Sequence, residues 1–174
     1  MKSSMMKTEN AGAVKFTFTS MPANADEIRE LLTSYPQTDK FHTAALFMTA
    51  LVRYVESPED GLAMIDALKG PQLLSTMDKS FIKDRFSDKK YLPRAYFEGA
   101  KPENNYQPTE PWTLVLYEDP VAPPAGYSYV HVKTSGADSP RRIVMRAKGD
   151  QQFLWEYNGV LMSIRLPAEA DPWL

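Results

Sequence analysis

The chain has 174 residues, of which 43% are hydrophobic and 24% are charged, close to the averages of globular domains. It carries 20 basic and 22 acidic residues, so its net charge of -2 does not favour binding to nucleic acid or to an anionic membrane. The absence of cysteine excludes disulfides, thiolate metal ligands and cysteine nucleophiles.

Residues 1–13 contain two lysines and lack the apolar run that a secretory signal needs. We therefore expect residues 1–13 to be a flexible leader, residues 14–174 to form a single domain, and the protein to be cytoplasmic. The longest strongly apolar stretch, residues 41–52, is shorter than the roughly 20 residues that span a membrane. It is typical of a helix in the core.

The first half of the chain predicts one strand and two helices. Apolar residues alternate over residues 14–18, which predicts a strand. Residues 25–32 carry apolar side chains at helical spacing, and two acids lie in the first turn. Residues 39–55 are apolar around most of a helical circumference, so we expect other elements to cover this helix on several sides.

Two further helices are marked by their caps. Ser57 followed by Pro58 is typical of a helix start, and Gly70 is typical of a helix end. Ser75 with Asp78 three residues later is close to a capping box, which predicts the start of a fourth helix.

The second half of the chain predicts a sheet. Seven prolines between residues 93 and 124 exclude long helices there, and residues 112–118 alternate as a strand. Later strands are predicted over residues 127–133, 142–148, 152–157 and 160–165, the last two joined by a type I′ turn at Asn158-Gly159. The predicted fold is α+β: a layer of about four N-terminal helices packed on a C-terminal antiparallel β-meander or small open barrel.

The connector over residues 93–111 concentrates aromatic, amide and carboxylate side chains, which can line the rim of a pocket. Its candidate ligand-binding residues are Tyr96, Glu98, Asn104, Asn105 and Tyr106. The two asparagines have an alternative role, because Asn also stabilises ordered turns through local hydrogen bonds.

The loop over residues 135–142 is a second candidate. Its backbone amides, together with Arg141 and Arg142, could hold an anion, and we add Asp138 and Arg141 to the candidate ligand-binding residues. An ordinary hairpin loop has the same composition, and neither phosphate-binding glycine motif occurs in the chain.

One strand face combines basic and aromatic side chains. Arg142, Arg146 and Lys148 share a face of one predicted strand, and Tyr127, Tyr129 and His131 share a face of the preceding one. Such a surface is used by proteins that bind single-stranded nucleic acid. The alternatives are a core face for the aromatic residues and solvated or ion-paired arginines.

The residues that suit enzyme chemistry are few. Only two histidines are present, and no nucleophile elbow, zinc-protease motif or metal-ligand spacing occurs. We therefore expect no metal and no cofactor. A hydrolase or transferase would have to use Glu98, Asp138 or His131 as acid or base, with Arg141 holding an anionic group.

The chain ends in Asp171-Pro172-Trp173-Leu174. A terminal tryptophan usually means that a tail docks, either on its own domain or on a partner. We expect this tail to dock on its own domain.

Several separated segments form a familiar series: GPQLLS (70–75), DRFSDK (84–89), YFEGA (96–100), PENNY (102–106), SGADSP (135–140), FLW (153–155) and DPW (171–173). Over about residues 14–173 the chain resembles an uncharacterised bacterial family, a domain of unknown function found mainly in gut Firmicutes. The resemblance carries no activity. It implies a cytoplasmic bacterial protein in which the connector and the Asp138 loop are candidate sites.

Our leading hypothesis is a non-catalytic binding or interaction domain that uses the connector to recognise an unknown protein or small molecule. The alternative is the small hydrolase or transferase described above, and single-stranded nucleic-acid binding is the least favoured reading. A membrane partner is not expected, and a homodimer is left open.

Overall fold

The computed structural model describes residues 3–174. The strands are β1 (Ser4–Asn10), β2 (Ala13–Ser20), β3 (Trp112–Glu118), β4 (Tyr127–Val132), β5 (Arg141–Lys148) and β6 (Gln151–Glu156). The helices are α1 (Ala25–Ser34), α2 (Lys40–Glu56), α3 (Pro58–Lys69) and α4 (Thr76–Phe86). The four helices therefore lie between β2 and β3 in the chain.

The strands form one antiparallel sheet in the order β1-β2-β3-β4-β5-β6. Because β1 and β6 do not pair with each other, the sheet is open and does not close into a barrel. The predicted α+β fold, with helices mostly in the N-terminal half and an antiparallel meander after them, is confirmed.

Helix α2 is the centre of the core. Eleven of its residues are buried, including Leu46, Phe47 and Leu51, which are fully buried. The helix packs against α3 on one side and against β3 to β6 on the other. Each such side chain contributes about 1.5–3 kcal/mol by burial, so the helical layer and the inner face of the sheet are held together mainly through α2.

The predicted helix caps are confirmed. The Ser57 hydroxyl accepts a hydrogen bond from the backbone N–H of Asp60 at 3.4 Å. The Ser75 hydroxyl accepts one from the N–H of Asp78 at 3.0 Å, and the Asp78 carboxylate accepts one from the N–H of Ser75 at 2.9 Å. Gly70 ends α3 with a φ of +67°.

Residues 4–10, which the sequence analysis places in a flexible leader, form strand β1. This strand pairs with β2 across a turn in which Ala11 and Gly12 both have positive φ. Met5 is its only buried hydrophobic side chain. An edge strand with so little apolar alternation depends on backbone pairing, and this explains why the pattern is weak in the sequence.

The hairpin predicted at Asn158-Gly159 is wrong, and so is the strand predicted after it. Asn158–Leu161 forms a 3-10 turn in which the N–H of Val160 donates to the carbonyl of Tyr157 at 3.0 Å. Val160 and Leu161 are both fully buried. Two consecutive inward side chains are incompatible with the alternation of a strand, so burial in the core overrides the local turn signal.

The C-terminal tail does not dock as expected, because the side chain of Trp173 is 91% exposed. Within the described range, no helix is long and apolar enough to cross a membrane.

Candidate functional site

Asn104 closes the turn of the connector. Its side-chain oxygen accepts hydrogen bonds from the N–H groups of Lys101 at 3.0 Å and Gln107 at 3.2 Å, and its amide donates to the carbonyl of Gly99 at 2.9 Å. Both ends of the amide are therefore engaged within the connector. This is the turn-stabilising role that the sequence analysis gives as the alternative.

Asn105 and Tyr106 join the connector to the C-terminal segment. Asn105 has a φ of +56°, and its side-chain oxygen accepts a hydrogen bond from the N–H of Glu169 at 2.8 Å. Tyr106 is fully buried, its hydroxyl donates to the carbonyl of Arg165 at 2.7 Å, and its ring stacks on Tyr91 at 5.6 Å. Burial raises the pKa of Tyr106 to about 12, so the phenol stays protonated at neutral pH.

Tyr96 and Glu98 have different surroundings. Tyr96 is buried, its hydroxyl donates to the carbonyl of Val160 at 2.7 Å, and burial raises its pKa. The carboxylate of Glu98 is half-exposed and forms an ion pair with Lys15 at 3.4 Å. Of the five connector candidates, Glu98 therefore keeps the most accessible polar group.

A cavity of about 320 Å³ separates the connector from the sheet. Residues 95–100 line one side, and Val115, Tyr117 and Lys133 line the other. We call it the connector groove. Tyr96 and Glu98 border it, whereas the other three connector candidates do not line it.

The two candidates of the loop over residues 135–142 contact the segment that follows β6. Asp138 is exposed and forms an ion pair with Arg165. The guanidinium of Arg141 donates to the carbonyl of Ser163 at 3.2 Å, and its Nε is buried without a hydrogen-bond partner. A ligand-binding role for these residues stays a prediction.

The three acid–base residues of the enzyme hypothesis have separate partners. Glu98 pairs with Lys15, Asp138 pairs with Arg165, and His131 contacts Asp119 at 2.8 Å. In the described part of the chain, no hydrogen bond or ion pair joins any two of the three. The shared site that this hypothesis requires is therefore not assembled by contacts between them.

The helices cover one face of the sheet and leave the other to solvent. We call the second face the outer face. Cross-strand pairing places Tyr127 opposite Arg146, Tyr129 opposite Val144 and His131 opposite Arg142. The basic and aromatic residues predicted for two neighbouring strands thus share one face.

Cations on the outer face lie over its aromatic rings. The guanidinium of Arg142 is 4.1 Å from the ring centroid of Tyr129, and the Nζ of Lys133 is 4.2 Å from that of Tyr117. Arg146 lies 4.5 Å from the ring of Trp155 and 5.7 Å from that of Tyr127. These contacts restrict the cationic side chains to a few orientations.

Asp119 anchors one corner of this face. Its side chain is 1% exposed and accepts hydrogen bonds from the Arg142 guanidinium at 2.6 Å and 3.3 Å and from the N–H of Val121 at 2.8 Å. Burial raises the pKa of Asp119. The hydrogen bonds from Arg142 and Val121 and the electrostatic interaction with His131 lower it by more, so the net shift of the pKa is downward. Asp119 is thus held ionised and positions Arg142.

A second cavity, of about 240 Å³, lies where the end of α3 meets the hairpin of β5 and β6. We call it the Lys69 cavity. Its charged and polar lining consists of Lys69, Gln72, Arg146 and Lys148, and its aromatic lining of Phe153 and Trp155. Arg146 and Trp155 belong to both the cavity and the outer face.

Four cations of these surfaces have no acidic partner. Within residues 3–174, no carboxylate lies within 4 Å of the charged nitrogens of Lys69, Lys133, Arg146 or Lys148. Lys69 is the unusual member, because it is only 7% exposed. Burial lowers its pKa, although Asp78 and Asp66 act in the opposite direction.

A third cavity, of about 340 Å³, lies beside Phe18, Met21 and Trp112. Its charged groups have partners: Arg53 binds Glu56 at 3.0 Å and Asp60 at 3.4 Å, and Glu110 accepts from the Trp112 indole at 3.2 Å. The Nε of Arg53 is buried without a hydrogen-bond partner among the described residues.

No group of three or more histidine and acidic side chains that could hold a metal ion occurs in the described part of the chain.

Three residues of the Lys69 cavity are not among the site residues predicted from the sequence: Lys69, Phe153 and Trp155. Lys69 lies in the last turn of α3, where a basic residue is ordinarily explained by the helix dipole. Its burial depends on contact with strands that are distant in the chain. The signals near the cavity are the GPQLLS and FLW segments of the resemblance and the basic strand face that carries Arg146 and Lys148.

The fold and these surfaces define an α+β domain with an open antiparallel sheet and a cationic, aromatic outer face. The family model described as a domain of unknown function (DUF6935) matches residues 20–168, and the chain belongs to that family. The matched range begins at the last residue of β2. No curated protein and no solved structure matches the chain.

Proposed function

We propose that this chain is a non-catalytic binding domain that recognises a small anionic ligand on the outer face of its sheet. The observation that carries the proposal is the presence of Lys133, Arg146 and Lys148 around this face without acidic partners, in a chain whose net charge is -2. Positive charge is therefore concentrated where the helices leave the sheet uncovered. Such a concentration attracts anions and raises their local concentration.

The aromatic rings support this role because they hold the cations in place. Arg146 lies close to the rings of both Trp155 and Tyr127, and its guanidinium has no acceptor among the described carboxylates. A side chain that is already ordered loses less conformational entropy when it binds a ligand. The rings add flat apolar area for the uncharged part of the ligand.

The surroundings of Asp119 explain how Arg142 is held on the outer face. Asp119 is the most deeply buried carboxylate on this side of the sheet, and it is held by Arg142 and His131. Its downward pKa shift keeps it ionised, so it is a poor proton donor near neutral pH. Its role here is to fix Arg142 over Tyr129.

The connector groove would form the other end of the recognition surface. Tyr117 and Lys133 belong to both the groove and the outer face, and Glu98 borders them. The connector would then contribute through residues 95–100, while Asn104, Asn105 and Tyr106 would hold its shape. We also propose the bacterial source and cytoplasmic location that the resemblance implies.

A thermal-shift panel of anionic, neutral and cationic small metabolites tests the proposal. We expect anionic members to raise the melting temperature, because they bind the folded state alone. Arg146→Gln and Lys133→Gln should each reduce the rise. Lys79→Gln and Lys83→Gln are matched controls, since both lysines are exposed on α4, and they should leave it unchanged.

Stabilisation by neutral or cationic members alone would contradict the proposal. An equal loss of the anion effect in the α4 controls would also contradict it, because the effect would then arise from the charge of the whole chain. Backbone amide NMR shifts confined to β3, β4, β5 and β6 would locate the ligand on the sheet.

A further inference from the structure

We infer that the Lys69 cavity is a binding site for a compact anion, a phosphate or carboxylate, that is attached to a planar ring. The inference rests on the proposed function in one respect, namely that Arg146 and Trp155 belong to both surfaces. It goes further by naming a bounded site, its central cation and the shape of the ligand.

Lys69 is a cation that is largely removed from solvent and has no acidic partner among the described residues. The side chain is 7% exposed, lines the cavity, and has no hydrogen-bond acceptor or carboxylate within reach in residues 3–174. Its closest described interaction is with the ring of Tyr157, whose centroid lies 6.0 Å from Nζ. Nζ is not among the side-chain atoms that are fully buried without a partner, so it stays accessible from the cavity. A charge that is largely removed from solvent and has no acceptor is costly to hold.

The nearest acids do not remove this cost. The Asp66 carboxylate accepts the N–H of Leu74 at 2.8 Å, and the Asp78 carboxylate accepts the N–H of Ser75 at 2.9 Å. Both act on Lys69 through space and not by contact. The ammonium group therefore has free donors for an acceptor that enters the cavity.

Two further cations converge on the cavity. Arg146 and Lys148 line the same cavity as Lys69, and none of the three has a carboxylate partner in the described chain. Three donors of positive charge around about 240 Å³ suit a phosphate or carboxylate, which can accept hydrogen bonds on several oxygens. A guanidinium next to an ammonium group is suited to such an oxyanion.

The remaining wall of the cavity is aromatic and apolar. Phe153 and Trp155 provide aromatic surface, and Pro71 adds apolar surface. Gly70 lies so close to Phe153 that an added Cβ would be 2.6 Å from the ring. The turn after α3 is thus packed onto Phe153, which holds this ring in place in the wall of the cavity, and the wall as a whole offers aromatic and apolar contacts to a ligand ring.

The volume limits the size of the ligand. Sites for drug-sized molecules usually measure about 300–1,000 Å³. At about 240 Å³, the Lys69 cavity suits one ring with one anionic group and is too small for a dinucleotide.

Phenyl phosphate is the probe, with inorganic phosphate and phenol as partial probes. We expect phenyl phosphate to bind more tightly than either, as measured by isothermal titration calorimetry. In NMR spectra, the indole N–H signal of Trp155 should shift when phenyl phosphate binds. The signal is assigned to Trp155 because it disappears in the Trp155→Phe variant.

Lys69→Met is the decisive variant, because methionine keeps the length of the side chain and removes its charge. We expect its affinity for phenyl phosphate to fall about tenfold or more, since a charge-assisted contact is lost. The melting temperature without ligand should stay equal or rise, because a largely desolvated charge without an acceptor is removed. Lys79→Met on α4 is the matched control and should change neither quantity.

Each other outcome overturns the inference in a distinguishable way. If Lys69→Met lowers the melting temperature and leaves affinity unchanged, Lys69 is structural. If affinity falls in Lys133→Gln but not in Lys69→Met, the ligand lies on the open sheet, so the cavity inference fails and the proposed function stands. If inorganic phosphate binds as tightly as phenyl phosphate, the ring plays no part. If no anion binds, both proposals fail.

Discussion

At the residue scale, His42 shows how hydrogen-bond partners determine a protonation state. Its Nδ1 is 2.8 Å from the carbonyl oxygen of Pro36, which can only accept, so Nδ1 carries the proton. Its Nε2 is 2.9 Å from Nζ of Lys7, which can only donate, so Nε2 carries the lone pair. His42 is therefore neutral, and Lys7 links β1 to the Asp39 cap of α2.

Stability should depend on the protonation of His42. Burial lowers its pKa from the ordinary value of 6.5, and the contacts with Pro36 and Asp39 offset this only in part. As pH falls from 6.5 towards the lowered pKa, the unfolded chain gains a proton that the folded chain does not, so the free energy of unfolding decreases. Above pH 6.5 the contribution is complete. Urea unfolding in a series of buffers between pH 7.5 and 5 measures how the free energy of unfolding changes with pH.

His42→Gln is the control for this prediction. Glutamine keeps polar contacts but does not titrate, and only His131 remains as a histidine. The slope between pH 6.5 and 5 should flatten in this variant. An equally steep slope would show that the pH dependence comes from other groups.

At the element scale, the end of α3 and the turn between β5 and β6 give a matched pair of glycines. Gly70 has a φ of +67° and Gly149 a φ of +62°, so alanine at either position incurs a backbone cost of about 1 kcal/mol or more. An added Cβ would lie 2.6 Å from the Phe153 ring at Gly70 but would meet nothing within 4 Å at Gly149. Only Gly70 combines backbone strain with a steric clash.

We therefore expect Gly70→Ala to reduce the free energy of unfolding by about 1–3 kcal/mol more than Gly149→Ala, which is the usual cost of overpacking. Urea denaturation of the two variants measures the difference. Equal losses would mean that Phe153 moves aside freely, and the aromatic wall of the Lys69 cavity would then be less fixed than the structure indicates.

The sequence predicts those elements whose signals are local. Ser57, Ser75 and Asp78 act on backbone groups within the same turn, so their patterns identify helix starts without knowledge of the fold. Asn158-Gly159 also looks local, yet its geometry is decided by the burial of Val160 and Leu161 against distant elements. Strand β1 is missed for the opposite reason, since its pairing involves few buried side chains.

The candidate site is harder to predict than the fold. Arg146 and the tyrosines lie on the same face of the sheet because side chains alternate along a strand, and this alternation is visible in the sequence. The Lys69 cavity is not, because α3 supplies Lys69 while β5 and β6 supply Arg146 and Trp155. No spacing in the chain encodes that contact.

At the scale of the whole molecule, α2 and β1 represent two extremes of packing. Helix α2 contacts α3 and four strands, whereas β1 is an edge strand whose main contacts are with β2. Amides in the middle of a fully covered element exchange with solvent only when the molecule unfolds globally, and amides of edge elements exchange by local opening.

Native-state hydrogen exchange should therefore separate the two elements. We expect the amides of Leu46 and Phe47 to give an opening free energy equal to that of global unfolding. The amides of β1 should exchange at a clearly lower free energy. Equal protection of both elements would contradict the central position assigned to α2, and denaturant unfolding under the same conditions gives the reference value.

The strand order of the sheet also determines the sequence separation between strands that pair. Strands β3 to β6 pair with their immediate sequence neighbours, but β2 reaches β3 only after all four helices and the connector. Closing that long loop has a large entropic cost before any contact between β2 and β3 compensates for it. We expect the four C-terminal strands to associate early and the N-terminal hairpin to join last, so that the slowest folding step completes the sheet.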